Sequence, residues 1–263
     1  MNSYILPLLL TLFAGMSTLL GGFITFFVKR NNLKVLSVGL GFSAGVMVYV
    51  SLNELMSEAP QMLSAYYGAI PSKALAFIGF AFGFIIAILI DYFIPDHIEP
   101  DLLNNANSQH SEQVHKIKRA GLITAIAVTL HNFPEGMATF LVSSQDIRLG
   151  IPIALAIAIH NIPEGIAIAL PIFHASGKKR LAIFYSFLSG ISEPIGGLIG
   201  VFLLKTVMPV QTVGIMTAAV AGIMVYLSFD TLLPLAREYG ENHHVIIGIV
   251  SGMLIMGLGL IFL

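Results

Sequence analysis

The chain of 263 residues has no cysteine and no tryptophan, and only 10% of its residues are charged. Without cysteine there can be no disulfides, thiolate metal sites or iron–sulfur clusters. With so little charge a water-facing surface cannot be built. A hydrophobic share of 56% and a mean hydropathy of +0.88 represent more apolar surface than a soluble core of this length buries, so the implied solvent is a lipid bilayer. A net charge of −1 leaves no electrostatic footprint for nucleic acid, and no such partner is expected.

What is present is a series of long apolar runs. A helix needs roughly 20 apolar residues to cross a hydrocarbon core, and eight such stretches fall near residues 5–28, 35–56, 74–94, 120–142, 151–173, 181–204, 213–235 and 245–263. They predict an all-α membrane protein with eight transmembrane helices in a single domain over residues 1–263. The first run follows Met1-Asn-Ser-Tyr4 with no basic residue before it, so it is expected to be a retained helix rather than a cleaved signal. Lys29, Arg30, Lys34, Lys116, Lys118, Arg119, Lys178, Lys179, Arg180 and Arg237 fall in odd-numbered loops, whereas only Lys73, Arg148 and Lys205 fall in even-numbered ones. The positive-inside bias then puts the odd loops in the cytoplasm and both termini outside, in a multi-pass protein of the cell membrane. The longest polar stretch, about 95–119, reads as a mobile cytoplasmic loop.

Two internal repeats organise the chain. Ile126-Ala-Val-Thr-Leu-His-Asn-Phe-Pro-Glu-Gly136 and Leu155-Ala-Ile-Ala-Ile-His-Asn-Ile-Pro-Glu-Gly165 lie 29 residues apart on consecutive segments four and five. Ala44-Gly-Val-Met-Val-Tyr-Val-Ser-Leu-Asn-Glu-Leu55 in segment two matches Ala221-Gly-Ile-Met-Val-Tyr-Leu-Ser-Phe-Asp-Thr-Leu232 in segment seven. Both repeats relate segments that cross in opposite directions. The expected architecture is a 3+2+3 inverted-repeat bundle around one pseudo-two-fold axis, with a site near mid-membrane.

Ionisable side chains inside a bilayer are costly, about 2.5–3.5 kcal/mol each even on lenient scales. Here they cluster: His131, Asn132 and Glu135 on segment four, His160, Asn161 and Glu164 on segment five, Glu193 on segment six, Asp230 on segment seven, and Asn53 and Glu54 on segment two. No intramembrane Lys or Arg is at hand to balance the acids, whereas a divalent cation would offset their repulsion. His131 and Glu135 are four apart and share a helical face, as do His160 and Glu164. Pro134 and Pro163 would free the carbonyls of Leu130 and Ile159, and Gly136 and Gly165 would let helices approach closely. Glu193, in Ser192-Glu-Pro194, reads as a further wall of the site, and Glu54 as a ligand or a vestibule acid. Asp230 and Asn53 read as helix-to-helix hydrogen-bonding groups and Asp91 as interfacial. His97, His110 and His115, with Asp96, Glu99, Asp101 and Glu112, read as a solvated loop. His243 and His244 read as loop residues, and His174 as a helix-end residue.

Imidazole with carboxylate and amide oxygen, and no thiolate, suits zinc, ferrous iron, manganese, cobalt or cadmium and disfavours cuprous copper. The two uninterrupted His-Asn-x-Pro-Glu-Gly motifs resemble those of the ZIP (Zrt/Irt-like) family of metal transporters, most closely its bacterial ZupT-type branch, and the likeness extends over the whole chain. The resemblance implies a binuclear metal centre of His131, Asn132, Glu135, His160, Asn161 and Glu164, with Glu193 as a further ligand and Glu54 at a helix-two position of varied residue type. It also implies uptake into the cytoplasm by one helix bundle shifting past the other, and a homodimer. The expected function is transport of divalent transition-metal ions, zinc first, with no catalytic cofactor and no catalysis. The competing reading is an intramembrane zinc-dependent hydrolase, since His-x-x-x-Glu can also build a hydrolytic site.

Overall fold

A computed structural model describes residues 4–93, 108–206 and 210–261, so Asp96, His97, Glu99 and Asp101 lie outside the described residues. Helix α1 (Ile5–Gly22) ends in a 3-10 turn, and α2 (Leu33–Val50) runs through a π-helical turn, Ser51–Leu55, into α3 (Met56–Tyr67). Next come α4 (Ala69–Phe93), α5 (Ser108–Gln145) and α6 (Ile147–Ser176). Helices α7 (Lys179–Gly190) and α8 (Ser192–Thr206) are separated by the single residue Ile191. Helix α9 (Val210–Tyr226) passes through a second π-helical turn, Leu227–Leu232, into α10 (Leu233–Tyr239), and α11 (Asn242–Ile261) closes the bundle.

Among the described residues, seven stretches are long and apolar enough to cross a membrane: Ile5–Phe26, Leu33–Ser64, Ala69–Phe93, Gly150–Ser176, Lys179–Phe202, Thr212–Tyr239 and His243–Ile261. The eighth expected crossing lies on α5, whose apolar stretch carries His131, Asn132 and Glu135, and which packs against α6 and α8. The α5 boundary corrects the expectation of a loop up to residue 119. The helix starts at Ser108, and Ile117, only 5% exposed, packs into the core with Val114 beside it. Arg119 holds the end of α4 from this extension, its guanidinium donating to the Asp91 carbonyl at 3.0 Å and lying 3.2 Å from the Asp91 carboxylate.

Local chemistry explains where the other helices begin and end. The Asn32 side chain accepts from Val35 N (3.2 Å) at the start of α2, and Asp146 accepts from Arg148 N (2.9 Å) at the start of α6. Helix α6 stops at Gly177, which is left-handed at φ +69°. Two of its last carbonyls, those of His174 and Ala175, accept from Arg30 at 3.1 and 2.9 Å. His174 is a helix-end residue, as expected, each ring nitrogen facing a carbonyl oxygen, Leu170 at 2.8 Å and Asn32 at 3.3 Å.

The prolines remove the amide donors for the Leu130 and Ile159 carbonyls without ending their helices. Helix α5 runs through Pro134, and α6 runs through Pro152, Pro163 and Pro171. The irregular backbone sits instead in the two π-helical turns and at Ile191. Pro194 falls in the first turn of α8, where a missing amide costs little.

Reciprocal close contacts reveal the pseudo-two-fold axis. A Cβ placed on Gly15 would strike the Gly190 carbonyl, and one on Gly190 would strike that of Gly15. Gly136 meets the Glu193 carbonyl in the same way that its repeat partner Gly165 meets that of Thr18. Gly83 of α4 meets Ala219 of α9, and Gly252 of α11 meets Phe42 of α2. Each contact has a mate in which segments one, two, three and four are exchanged for six, seven, eight and five. The two π-helical turns obey the same rule, since Ser51–Leu55 and Leu227–Leu232 coincide in the aligned repeat. The result is the 3+2+3 arrangement, with α5 and α6 as the central pair.

Candidate metal centre

The central pair presents its motif residues inward. His131, Asn132, Glu135, His160, Asn161, Glu164 and Glu193 are all buried, none more than 6% exposed, and Glu54 is partly exposed. Because α5 and α6 run in opposite directions, the imidazole of one helix lies level with the carboxylate of the other. His131 Nε2 is 2.9 Å from Glu164 Oε1, and His160 Nε2 is 3.3 Å from Glu135 Oε1. The first is a hydrogen bond, while the second is close but not aligned as one. The shared face expected of His131 with Glu135 is therefore realised as two crossed pairs, one level above the other.

The asparagines follow the same symmetry. Asn161 Nδ2 donates to the Ala14 carbonyl at 3.0 Å, and Asn132 Nδ2 lies 3.4 Å from the carbonyl of Ser189. Asn161 also donates to Glu193 Oε2 at 2.8 Å, which fixes α8 against α6. The opposite end of the Asn132 amide lies 3.0 Å from His131 Nε2 and 3.3 Å from Glu164 Oε2. One amide, one imidazole and one carboxylate therefore converge there.

Several buried oxygens and nitrogens in this cluster have no hydrogen-bond partner: both oxygens of Glu135, Glu193 Oε1, Asn161 Oδ1, Glu54 Oε2, and Nδ1 of both histidines. Buried acceptors without donors are expensive, and four carboxyl groups crowd two imidazoles here. A divalent cation satisfies carboxylate, amide oxygen and imidazole together, so the donor chemistry fits a borderline metal as cargo. Among the described residues no three His, Asp or Glu side chains are already spaced to hold a single ion. The imidazoles and carboxylates are paired with one another across the two helices.

A narrow cavity runs down to this cluster from the α3 side, its wall formed by Glu54, Glu58, Glu135, His160, Thr139 and Thr217 among others. Glu58 was not singled out from the sequence, although it stands four residues after Glu54 and therefore on the same helical face. Asp230 and Asn53 lie on the matched π-helical turns and are exposed, away from the buried cluster, and Asp230 hydrogen-bonds Tyr226 on its own helix. His115 lies on the early part of α5, and His243 and His244 on the first turn of α11. The α5 backbone also takes in His110 and Glu112, whose side chains are outside the described ones.

Comparison with known proteins agrees with this arrangement. The family model described as ZIP zinc transporter matches residues 96–259. A protein named zinc transporter ZupT from Akkermansia muciniphila is 45% identical over 260 residues, 96% of each chain. Its namesake from Clostridium perfringens is 45% identical over 276 aligned positions, covering 99% of this chain and 97% of the other. That of Oceanobacillus iheyensis is 43% identical over the full length of both. With crossed His–Glu pairs on antiparallel central helices, a 3+2+3 bundle and full-length relatives of one kind, the chain belongs to the ZIP family, a family of multi-pass membrane transporters and not of enzymes.

Proposed function

We propose that this protein carries zinc across the cell membrane into the cytoplasm, through a binuclear centre of His131, Asn132, Glu135, His160, Asn161 and Glu164, with Glu193 and Glu54 as further ligands. The observation that carries this reading is the acid-lined cavity from the α3 side, which ends on unpartnered oxygens of Glu54 and Glu135 beside the His160–Glu135 pair, with the His131–Glu164 pair and an unpartnered oxygen of Glu193 buried away from its wall. The relatives' shared name supplies zinc as the first candidate. The ligand chemistry extends the range to ferrous iron, manganese, cobalt and cadmium, because imidazole and carboxylate do not separate these borderline ions.

In this scheme a hydrated ion enters by Glu58 and Glu54, exchanges water for Glu135 and Glu193, and displaces His160 from Glu135 as it binds. It then parts His131 from Glu164 and leaves on the α10 side, which the distribution of Lys and Arg places toward the cytoplasm. A hydrolase would need one open metal position and a separate base on a single asymmetric site. The duplicated motif and the family membership favour transport instead.

The test is zinc uptake into proteoliposomes that contain the native chain, Glu135→Ala or Glu164→Ala. Uptake is expected to disappear in both variants; native rates in both would overturn the reading. Competition by ferrous iron, manganese, cobalt and cadmium in the same vesicles measures the range of ions.

A further inference from the structure

Every residue of the duplicated motif has a like partner across the pseudo-two-fold axis, but the acids around the motif do not. Gly136 packs on the Glu193 carbonyl as Gly165 packs on that of Thr18, so Thr18 is the mate of Glu193. The repeat of Ala44–Leu55 with Ala221–Leu232 makes Thr231 the mate of Glu54, and one turn further Leu235 the mate of Glu58. The additional carboxylates therefore stand on one side of the axis, at the Glu135–His160 level and the cavity above it. The His131–Glu164 level has two threonines and a leucine in their places. Thr18 is fully buried with its hydroxyl oxygen unpartnered, and Thr231 is 8% exposed.

The packing around the two levels is unequal as well. The cavity opens beside Thr217, Val220 and Ile157, whereas their mates Leu40, Ser43 and Val128 are completely buried. Ser43 Oγ donates to the Pro163 carbonyl at 2.7 Å and ties α2 to α6, a link that Val220 cannot make on the open side.

From this asymmetry we infer that Thr18 and Thr231 set the rate at which the ion is released: they are hydroxyl residues standing where the loading level has carboxylates. In a site of low dielectric a carboxylate holds a divalent cation far more strongly than a hydroxyl does. An ion passed from Glu54, Glu135, His160 and Glu193 to His131 and Glu164 leaves three carboxylates behind, gains one in Glu164, and meets two neutral hydroxyls. The weaker grip speeds discharge. The inference rests on the transport reading above.

The test adds the missing charge in a side chain close to threonine in size. Thr231→Asp and Thr18→Asp are compared with the neutral isosteres Thr231→Asn and Thr18→Asn. Zinc affinity is measured calorimetrically on the purified full chain, and zinc uptake in proteoliposomes. Each Asp variant is expected to bind zinc about tenfold more tightly, with KM and maximal uptake rate both falling at least about fivefold, while each Asn variant stays within about twofold of the native chain. Asp variants that match their Asn counterparts in affinity and uptake overturn the inference. Should the Asp variants not fold, Thr231→Glu and Thr18→Glu, which give the release level the side chains of the loading level, are compared with Thr231→Gln and Thr18→Gln; about tenfold tighter zinc binding is expected in the Glu variants, and equal affinity in each Glu and Gln pair overturns the inference. Loss of uptake in Glu135→Ala and Glu164→Ala tests the transport reading separately, so the two failures are distinguishable.

Discussion

Glu164 Oε1 lies 2.9 Å from His131 Nε2 across the seam between α5 and α6, with both side chains fully buried. Each is the other's partner and, on the proposed path, a ligand for the ion, so binding there exchanges one interaction for another. Glu164→Ala leaves His131 buried without its partner, which costs about 1–3 kcal/mol. Without metal the variant should melt below the native chain. Zinc should raise the melting temperature of the native chain and have little effect on Glu164→Ala, because only a state that binds gains by mass action. Equal zinc-induced shifts in both would argue against Glu164 as a ligand.

The closest helix approaches are made at glycines, and they can be tested as a pair of opposites. A Cβ on Gly136 would run into the Glu193 carbonyl, so Gly136→Ala should destabilise the bundle by about 2 kcal/mol or more. At Gly259 the nearest atom to an added Cβ is Ile159 Cγ2 at 3.9 Å, and Ala there should stabilise by about 0.5–1 kcal/mol through helix propensity. Thermal unfolding in detergent separates the two.

Glu58 belongs to the wall of the cavity and not to the buried cluster. Its charge should concentrate cations at the mouth without holding them in the site. Glu58→Gln is expected to raise KM for zinc about three- to tenfold with little change in maximal rate, an effect that shrinks as salt is raised. A fall in maximal rate with constant KM would place Glu58 in the buried site instead. The measurement is initial uptake rate against zinc concentration at two ionic strengths.

The absence of cysteine makes the open and closed sides directly addressable. Thr217 borders the cavity, and its repeat mate Leu40 is completely buried. In metal-free protein, Thr217→Cys should react with a water-soluble maleimide at least about tenfold faster than Leu40→Cys, since close-packed interiors exclude the reagent. Equal reactivity would show that the two sides open alike.

Arg30 has a purely architectural task, donating to the carbonyls of His174 and Ala175 at the end of α6. Arg30→Met should lower stability by about 1–3 kcal/mol. Zinc affinity should stay native, since the site lies more than two helical turns away along α6 from Glu164. A calorimetric zinc titration beside a melting curve checks both halves.

Much of this molecule could be read from residue order because its two strongest signals are long-range ones: apolar runs of membrane length and a motif that occurs twice. The crossed pairing of His131 with Glu164 was not legible, because spacing along one helix shows which side chains share a face but not what an antiparallel neighbour brings level with them. The early start of α5 was hidden for a different reason. Residues 108–119 are too polar to register as membrane-spanning, yet Val114 and Ile117 fall on one helical face and pack into the core. Glu58 was overlooked because its role depends on a cavity bordered by four separate helical segments.

The matched π-helical turns have a consequence for how this family of shapes can vary. A π-helical turn holds one residue more than the α-helix around it, so it acts as a one-residue insertion that turns all later side chains by about 100° without ending the helix. Glu54 within the turn at Ser51–Leu55 and Glu58 just beyond it both line the cavity. Deleting a single residue within Ser51–Leu55 could restore a plain α-helix while swinging Glu58 out of the cavity wall. A loss of one codon would then re-aim the mouth of the path while leaving both repeats of the central pair intact.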